Sequence, residues 1–366
     1  MKINDLPIYM LSSFGHAGID WTHSLLDSHK DILIMPAFSF FRTLHKIEKI
    51  NKIKLKKLDK ASFASKILSD MFFYDESYKV KRRKFLFNLS QKEIFEKSII
   101  NFYKENNLAL IPQIFFAIHY AFCETHNIDF TKKKCIVSHE HVSWHFKKYK
   151  DNFNAKSLLI FRDPRAVLGG GILRMKNSNA SKTMNSLQMD TMLLTMLSAI
   201  NAFKHHKKAT YILTNETMHV DLRKEMKKLS TWMQIDFQET MLLQTFMNKE
   251  WKGESSYLAK DELDTAPPNN YYDPFEVEKR WKSVLTDREV LSIEVIFKKF
   301  IQDFGYDFKN KINFKNKFKG LIYFFKDNQF QEKYFFSKYL VLIRNLIRRL
   351  SVLILKENSI KYFDFK

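Results

Sequence analysis

The chain has 366 residues, 45% of them hydrophobic, enough apolar material to bury a full core as one large domain or two small ones. Its formal charge of +21 invites a polyanion such as nucleic acid or an anionic membrane, but Lys, Asn, Ile, Phe and Tyr are abundant together while Gly and Pro are scarce, a bias that AT-rich coding produces without any partner. The two cysteines, Cys123 and Cys135, have neither metal-ligand spacing nor a paired framework, which argues against disulfides and sets a reduced, cytosolic expectation.

From the N-terminus, "MKINDLPIYMLSS" holds too short an apolar stretch for a signal peptide, and residues 7–12 read as a buried strand. A loop at 13–18 leads into a helix at 19–29, where Trp21, Leu25 and Leu26 recur at helical spacing and Asp20 suits the first turn. "DILIMP" is a second strand, completing the βαβ pattern of a parallel sheet with helical crossovers. Residues from about 43 to 107 read as Lys-rich amphipathic helices covering the sheet, with "KVKRRK" as a wetted face.

Strands resume at "KKCIVSHEH", to about Val137, and at "AKSLLIFRDP", to Arg162. A Met-rich helix at about 183–205 precedes "ATYILTNE", a strand ending at Asn215 and Glu216. "DTAPPNNYYDP" is a loop, and "DREVLSIEVIFKKFIQDFGY" is a helix stopped by Gly305. The expected division is an α/β domain over 1–308 and a basic helical tail over 309–366. In the tail, "SKYLVLIRNLIRRLSVLIL" gathers Arg344, Arg348 and Arg349 on one side. Each arginine would cost roughly 2.5–3.5 kcal/mol at mid-bilayer, so the segment either lies on an anionic surface or packs on the core. No run of about 18 apolar residues occurs, so the expectation is a soluble, cytoplasmic protein or one peripheral on the inner face of the membrane.

Polar residues end several strands, where ligands sit in open α/β sheets. "SSFGHAGIDW" is a Gly-containing loop running straight into a helix, a ready anion site through backbone N–H groups and the helix dipole. It is not a Walker A loop, because no Lys followed by Ser or Thr comes after Gly18. In "LLIFRDPRAVLGGGILRM", Arg162 stands at a strand end, Pro164 locks the turn and Arg165 follows, so a guanidinium there can grip a phosphate bidentately. One element offers a cradle for a phosphate and the other a fork for a second.

Together these elements resemble the sulfotransferases that use 3'-phosphoadenosine 5'-phosphosulfate (PAPS). "HAGIDWTHSLLDSHKDI" aligns with the family's 5' loop, "RSGTTLLxxLLDxHP", and "RDPRAVLGG" with its 3'-phosphate element, "RDPRAVxxS". "SHEHVSWHFKKYKDNFNAKSLLIFRDPRA", "TNETMHVDLRKEMKKLSTWMQIDF", "WKGESSY" and "RWKSVL…FGYDF" extend the similarity over about 5–308. The resemblance implies a three-layer, P-loop-like parallel sheet flanked by helices, PAPS as co-substrate and no metal. It implies nucleotide contacts from Gly15, His16, Ala17, Gly18, Ile19, Asp20 and Trp21, from Arg162 and Gly170, and from Lys252 and Gly253.

Several positions depart from the family pattern. His16 replaces the usual cation, Ala17 the usual Ser, Ile19 and Asp20 two hydroxyl residues, Val137 a Lys and Gly170 a Ser. A protonated His16 would restore the cation. An Asp facing a phosphosulfate repels it unless protonated, turned away as a cap, or used as a base. The base is expected among His139, Glu140 and His141, with the histidines favoured and Asp20 as a further candidate. Glu216 is read either as substrate-facing or as a helix cap. The leading expectation is sulfuryl transfer to a hydroxyl of a carbohydrate or glycolipid. The alternative is an inactive nucleotide- or glycan-binding protein of the same fold. A kinase is disfavoured by the missing Walker lysine, and a nucleic-acid binder has only net charge behind it.

Overall fold

The computed structural model describes residues 3–13, 15–35, 39–73, 89–176, 182–251 and 279–326, together with Asp273, Val277, Ile347 and Leu350. Five strands form one parallel sheet: β1 (Ile8–Ser13), β2 (Ile32–Ile34), β3 (Cys135–Glu140), β4 (Ala155–Phe161) and β5 (Thr210–Thr214), in the order β2-β3-β1-β4-β5. Every residue of β1 and β3 is buried, as expected of strands covered on both faces. A ribbon of β6 (Thr245–Phe246) and β7 (Lys249–Glu250) stands apart from the sheet.

Side-chain alternation sorts the core into two halves. Tyr9, Leu11, Cys135 and Val137 face one side, where α1 (Ile19–Leu26) packs through Leu25 and Leu26. Ile8, Met10 and Ile136 face the other. That second face is covered by α2 (Phe40–His45), α3 (Ala61–Phe73), α4 (Leu89–Glu105), α5 (Leu110–His126) and α6 (Phe146–Asn152). The chain therefore leaves β1 toward one face and β3 toward the other. Opposite exits from neighbouring strands open a crevice beyond their carboxyl ends.

On the first face follow α7 (Pro164–Lys176), α8 (Lys182–His206), α9 (Asn215–Val220) and α10 (Leu222–Met233). They are joined by α11 (Asp287–Ile296) and α12 (Lys298–Asp303), and α13 (Phe314–Lys326) packs behind α11. Local signals account for many boundaries. Asp221 caps α10 and Gln234 ends it in the left-handed conformation, while Thr286 and Glu289 form a reciprocal capping box on α11.

The sheet-and-helix layers match the sequence expectation, with local corrections. The third strand runs on to Glu140, because the crevice end of the sheet buries polar groups there. Asn215 and Glu216 do not end a strand. Thr214 accepts a hydrogen bond from the Thr217 amide, and that cap turns them into the first turn of α9. The first helix stops at Leu26. The helix expected from 287 to 305 breaks at Phe297, whose ψ of 20° leaves helical geometry while its ring stays in the core. Beyond Phe308, α13 lies so close to α11 that a Cβ on Gly320 would come within 2.6 Å of Val295 Cγ2. The arginine-bearing part of the tail, the "KVKRRK" run and most of the Pro-Pro loop lie outside the described residues. Among the described residues no helix is long and apolar enough to cross a membrane.

Candidate active site at the carboxyl edge of the sheet

The loop from β1 to α1 passes through three left-handed residues, Gly15 (φ 71°), His16 (φ 38°) and Gly18 (φ 95°). Glycine is required at Gly18, since a Cβ there would lie 2.4 Å from Asn215 Nδ2. Gly18 is also the N-cap of α1 and offers no side chain to it; the first helical bond runs from Thr22 N–H to the Gly18 carbonyl at 2.9 Å. The N–H groups of Ile19, Asp20 and Trp21 thus begin the helix without a side-chain cap, pointing along the positive end of its dipole.

The loop's side chains turn away from this cradle. Ala17 and Ile19 are buried in the core. The His16 ring lies against α7, with Cδ2 3.7 Å from where a Cβ on Gly171 would stand. Trp21 stacks on His219 of α9, the rings 4.3 Å apart. The donors at the start of α1 are therefore backbone N–H groups.

The "RDPR" turn divides its two arginines between two tasks. Asp163 caps α7 by accepting the Arg165 amide at 2.8 Å, and Pro164 occupies the first helical position, where no N–H is needed. Arg165 is not a phosphate fork. Its guanidinium is buried between Asp163 (2.7 Å) and Glu294 (2.7 Å) and lies 4.5 Å from the Trp281 ring centroid, so its donors are consumed by the fold.

Arg162 points the other way. One terminal nitrogen donates to the His16 carbonyl at 3.1 Å, clamping the loop to the end of β4. Its Nε is buried with no hydrogen-bond partner among the described residues, and so are Ser13 Oγ at the end of β1 and Asn215 Oδ1 in the first turn of α9. A buried donor or acceptor left open calls for a partner such as a water, an ion or a ligand; another, Ser69 Oγ, belongs to a helix of the second face.

Glu216 stands behind Arg162. It accepts the Asp163 amide at 3.0 Å and the Tyr306 hydroxyl at 2.8 Å, so of its two expected roles the geometry gives it the bracing of this turn. Burial pushes its carboxyl above the usual range, against the opposing pull of Arg162.

On the β3 side, alternation separates "HEH". Glu140 goes to the second face, where Ser39 Oγ and the Phe41 amide donate to it and His145 Nδ1 lies 3.3 Å away. His139 goes to the first face and is 1% exposed. His141 is exposed at the rim. Their Nε2 atoms are 3.3 Å apart, and Asp20 Oδ1 lies 3.9 Å from His139 Nε2. The structure therefore brings together Asp20, His139 and His141. It adds His23 of α1, fully buried, whose Nδ1 is 3.1 Å from His139 Nδ1. Glu140 belongs to the packing beneath. Gly170 is buried in the second turn of α7. Lys252 and Gly253 lie outside the described residues.

No group of three or more ligating side chains among the described residues is placed to hold a metal ion. No protein-family model matches the chain, and no curated protein does. The solved structures similar to it include two sulfotransferase domains. The sulfotransferase domain from the Synechococcus PCC 7002 olefin synthase is 13% identical at a TM-score of 0.47, the similarity covering 82% of this chain and 95% of that one. The sulfotransferase domain from the curacin biosynthetic pathway is 12% identical, also at 0.47, covering 82% of this chain and 97% of that one.

Proposed function

We propose that the chain transfers a sulfuryl group from PAPS to a hydroxyl-bearing acceptor. The observation that carries this reading is the pairing of two anion-binding ends across one turn. The uncapped N-terminus of α1 is held open by Gly18, and Arg162, clamped to the same loop through the His16 carbonyl, keeps a buried Nε unpartnered among the described residues. A donor with a phosphosulfate at one end and a separate phosphate at the other fits two such ends. The resemblance in sequence assigns the loop to the 5' end and Arg162 to the 3'-phosphate.

Transfer requires that the acceptor oxygen form a bond to sulfur while the bond from sulfur to the bridging phosphate oxygen breaks. The electron pair leaves with 3'-phosphoadenosine 5'-phosphate, and the hydroxyl proton goes to a base. Such chemistry depends on positioning and on charge stabilisation at the leaving oxygen. The first-turn N–H groups of α1 supply the stabilisation. His141 at the rim supplies the base, backed by His139. Asp20, aimed at His139 Nε2, offsets the charge that the histidines acquire.

Calorimetry with 3'-phosphoadenosine 5'-phosphate tests the nucleotide half of the reading, and absence of binding at millimolar ligand overturns it. Transfer of labelled sulfate from PAPS to a panel of carbohydrate, glycolipid and simple alcohol hydroxyls tests the other half. Product in the carbohydrate or glycolipid arm alone supports the acceptor class expected from the sequence.

A further inference from the structure

We infer that α13 is a membrane-contact helix: its outward stripe of Phe314, Phe318 and Ile322 seats in the headgroup region of an anionic lipid surface, with Lys315, Lys317 and Lys319 against the phosphates. The inference is independent of the transfer reading above.

The helix has two sides. Asn313 caps its start, accepting the Asn316 amide at 2.8 Å. Its inner side is fixed to α11. Gly320 is buried, with a Cβ there 2.6 Å from Val295 Cγ2 and 3.1 Å from the Leu291 carbonyl, and Phe324, one turn on, is buried as well. Arg288 of α11 lies over the Tyr323 ring, 5.4 Å from its centroid. Phe318 comes two residues before Gly320, about 200° around the helix. Phe314 precedes Phe318 by one turn and Ile322 follows it by one, so the three fall on the side away from α11. Phe314 is 88% exposed and Phe318 62%; they are the two exposed ones among the phenylalanines whose side chains are described. A helix lying on a globular core ordinarily turns a polar side to water, and this one turns phenylalanine outward.

Charge selects what covers that stripe. Residues 308–326 hold six lysines and no acid, in a chain with 40 acids over 366 residues. Elsewhere exposed lysines pair with an acid one turn away, as in Lys147–Asp151 (2.6 Å), Lys228–Glu225 (2.7 Å) and Lys299–Asp303 (2.8 Å). Lys309 still reaches Asp287 at 2.6 Å. Lys311, Lys315, Lys317 and Lys319 are exposed and form no ion pair among the described residues. A nucleic acid would take the lysines and leave two phenylalanines in water. An apolar protein partner would take the rings and strand the cations. An anionic bilayer accepts both, because the rings enter the boundary between headgroups and acyl chains while the lysine stems let each ammonium reach a phosphate. α11 bonds the Arg165 turn through Glu294, so α13 stands one helix removed from the nucleotide cradle.

Flotation of the full chain with vesicles of phosphatidylcholine, alone or mixed with phosphatidylglycerol, tests the inference. Binding is expected to the mixed vesicles and not to phosphatidylcholine alone. It should weaken in 1 M salt, where the screening length falls to about 3 Å. Phe314→Gln with Phe318→Gln should lower the partition coefficient by roughly 10²-fold, and the Leu pair at the same positions should retain most of it. An environment-sensitive dye on Phe318→Cys reads the face directly, since Cys123 and Cys135 are buried. Its emission should shift to the blue when mixed vesicles are added. Failure to float with mixed vesicles overturns the inference. So does undiminished flotation of the Gln pair, which would give the binding to the arginine-bearing segment. A dye already shielded without vesicles overturns it too, assigning the stripe to another part of the chain, or to a second copy where the shielding depends on protein concentration.

Discussion

Arg162 and Arg165 stand one turn apart, and replacing each by Met should produce opposite phenotypes. Arg165 donates from Nε to Asp163 Oδ1 at 3.0 Å and from its terminal nitrogens to Asp163 Oδ2 and Glu294 Oε1, both at 2.7 Å. All three side chains are at most 4% exposed. Removing the cation strands two buried carboxylates, a loss worth about 3–5 kcal/mol. The lower end applies, because Asp163 keeps the Arg165 amide and Glu294 keeps the amides of Lys309 and Asn310 and the Asn310 side chain. A loss of about 3 kcal/mol is a large share of the stability of an ordinary domain. Adding Glu294→Gln to Arg165→Met removes one stranded charge and should restore part of it. Arg162→Met gives up one bond to the His16 carbonyl, about 1 kcal/mol, yet costs the nucleotide a charge-assisted pair worth roughly 3 kcal/mol or ~10²-fold in Kd. Urea unfolding at neutral pH and calorimetry with 3'-phosphoadenosine 5'-phosphate separate the two effects. An Arg165→Met chain as stable as the native one refutes the structural role of that residue. Unchanged nucleotide affinity in Arg162→Met refutes the anion assignment.

Gly18→Ala should lower stability by about 1–3 kcal/mol through its left-handed backbone and the clash with Asn215, and weaken nucleotide binding. Gly15→Ala, with nothing within 4 Å of its Cβ, should cost only about 1 kcal/mol; equal melting losses for the two would contradict the cradle geometry. Asp20→Asn should leave nucleotide affinity nearly unchanged while lowering kcat by roughly tenfold or more, because the carboxylate faces His139; markedly tighter nucleotide binding would show that it faces the donor instead. His119 supplies a pH prediction. Burial lowers its pKa from 6.5 to about 4, so the folded chain refuses a proton that the unfolded chain takes up. Its contribution is present above pH 6.5 and is lost as pH falls from 6.5 toward about 4, by up to roughly 3 kcal/mol. His119→Leu should flatten that part of a stability–pH curve measured by urea unfolding, and an unchanged slope would count against the assignment.

What the sequence revealed follows the range of the forces involved. β1, the loop to Gly18, and the strand running into Arg162 are written in short spans, where apolar runs, a glycine pair and an Asp-Pro turn each act locally. The separation of Glu140 from its neighbouring histidines was missed, because the strand was expected to end near Val137 and its alternation was not carried on to residue 140. Other features depend on distant partners. The task of Arg165 was not readable because its partner Glu294 lies 129 positions away. His23 looked like any helix residue because its partner, His139, is 116 positions on. The break at Phe297 carries no glycine or proline signal; the burial of its ring in the core is a tertiary effect that the local sequence does not show.

The same geometry explains why an unusual loop is compatible with a working site. A cradle made of backbone needs left-handed residues and an open helix start; Gly15, His16 and Gly18 supply the first and the start of α1 the second, while Ala17 and Ile19 belong to the core. The acidic substitution would be harmful only if it faced the donor. Instead Asp20 reaches toward His139, which touches His23 and His141 in turn. A loop that had simply decayed would scatter its atypical side chains among unrelated neighbours. Here the acidic one joins a connected set of titratable groups at the carboxyl edge of the sheet.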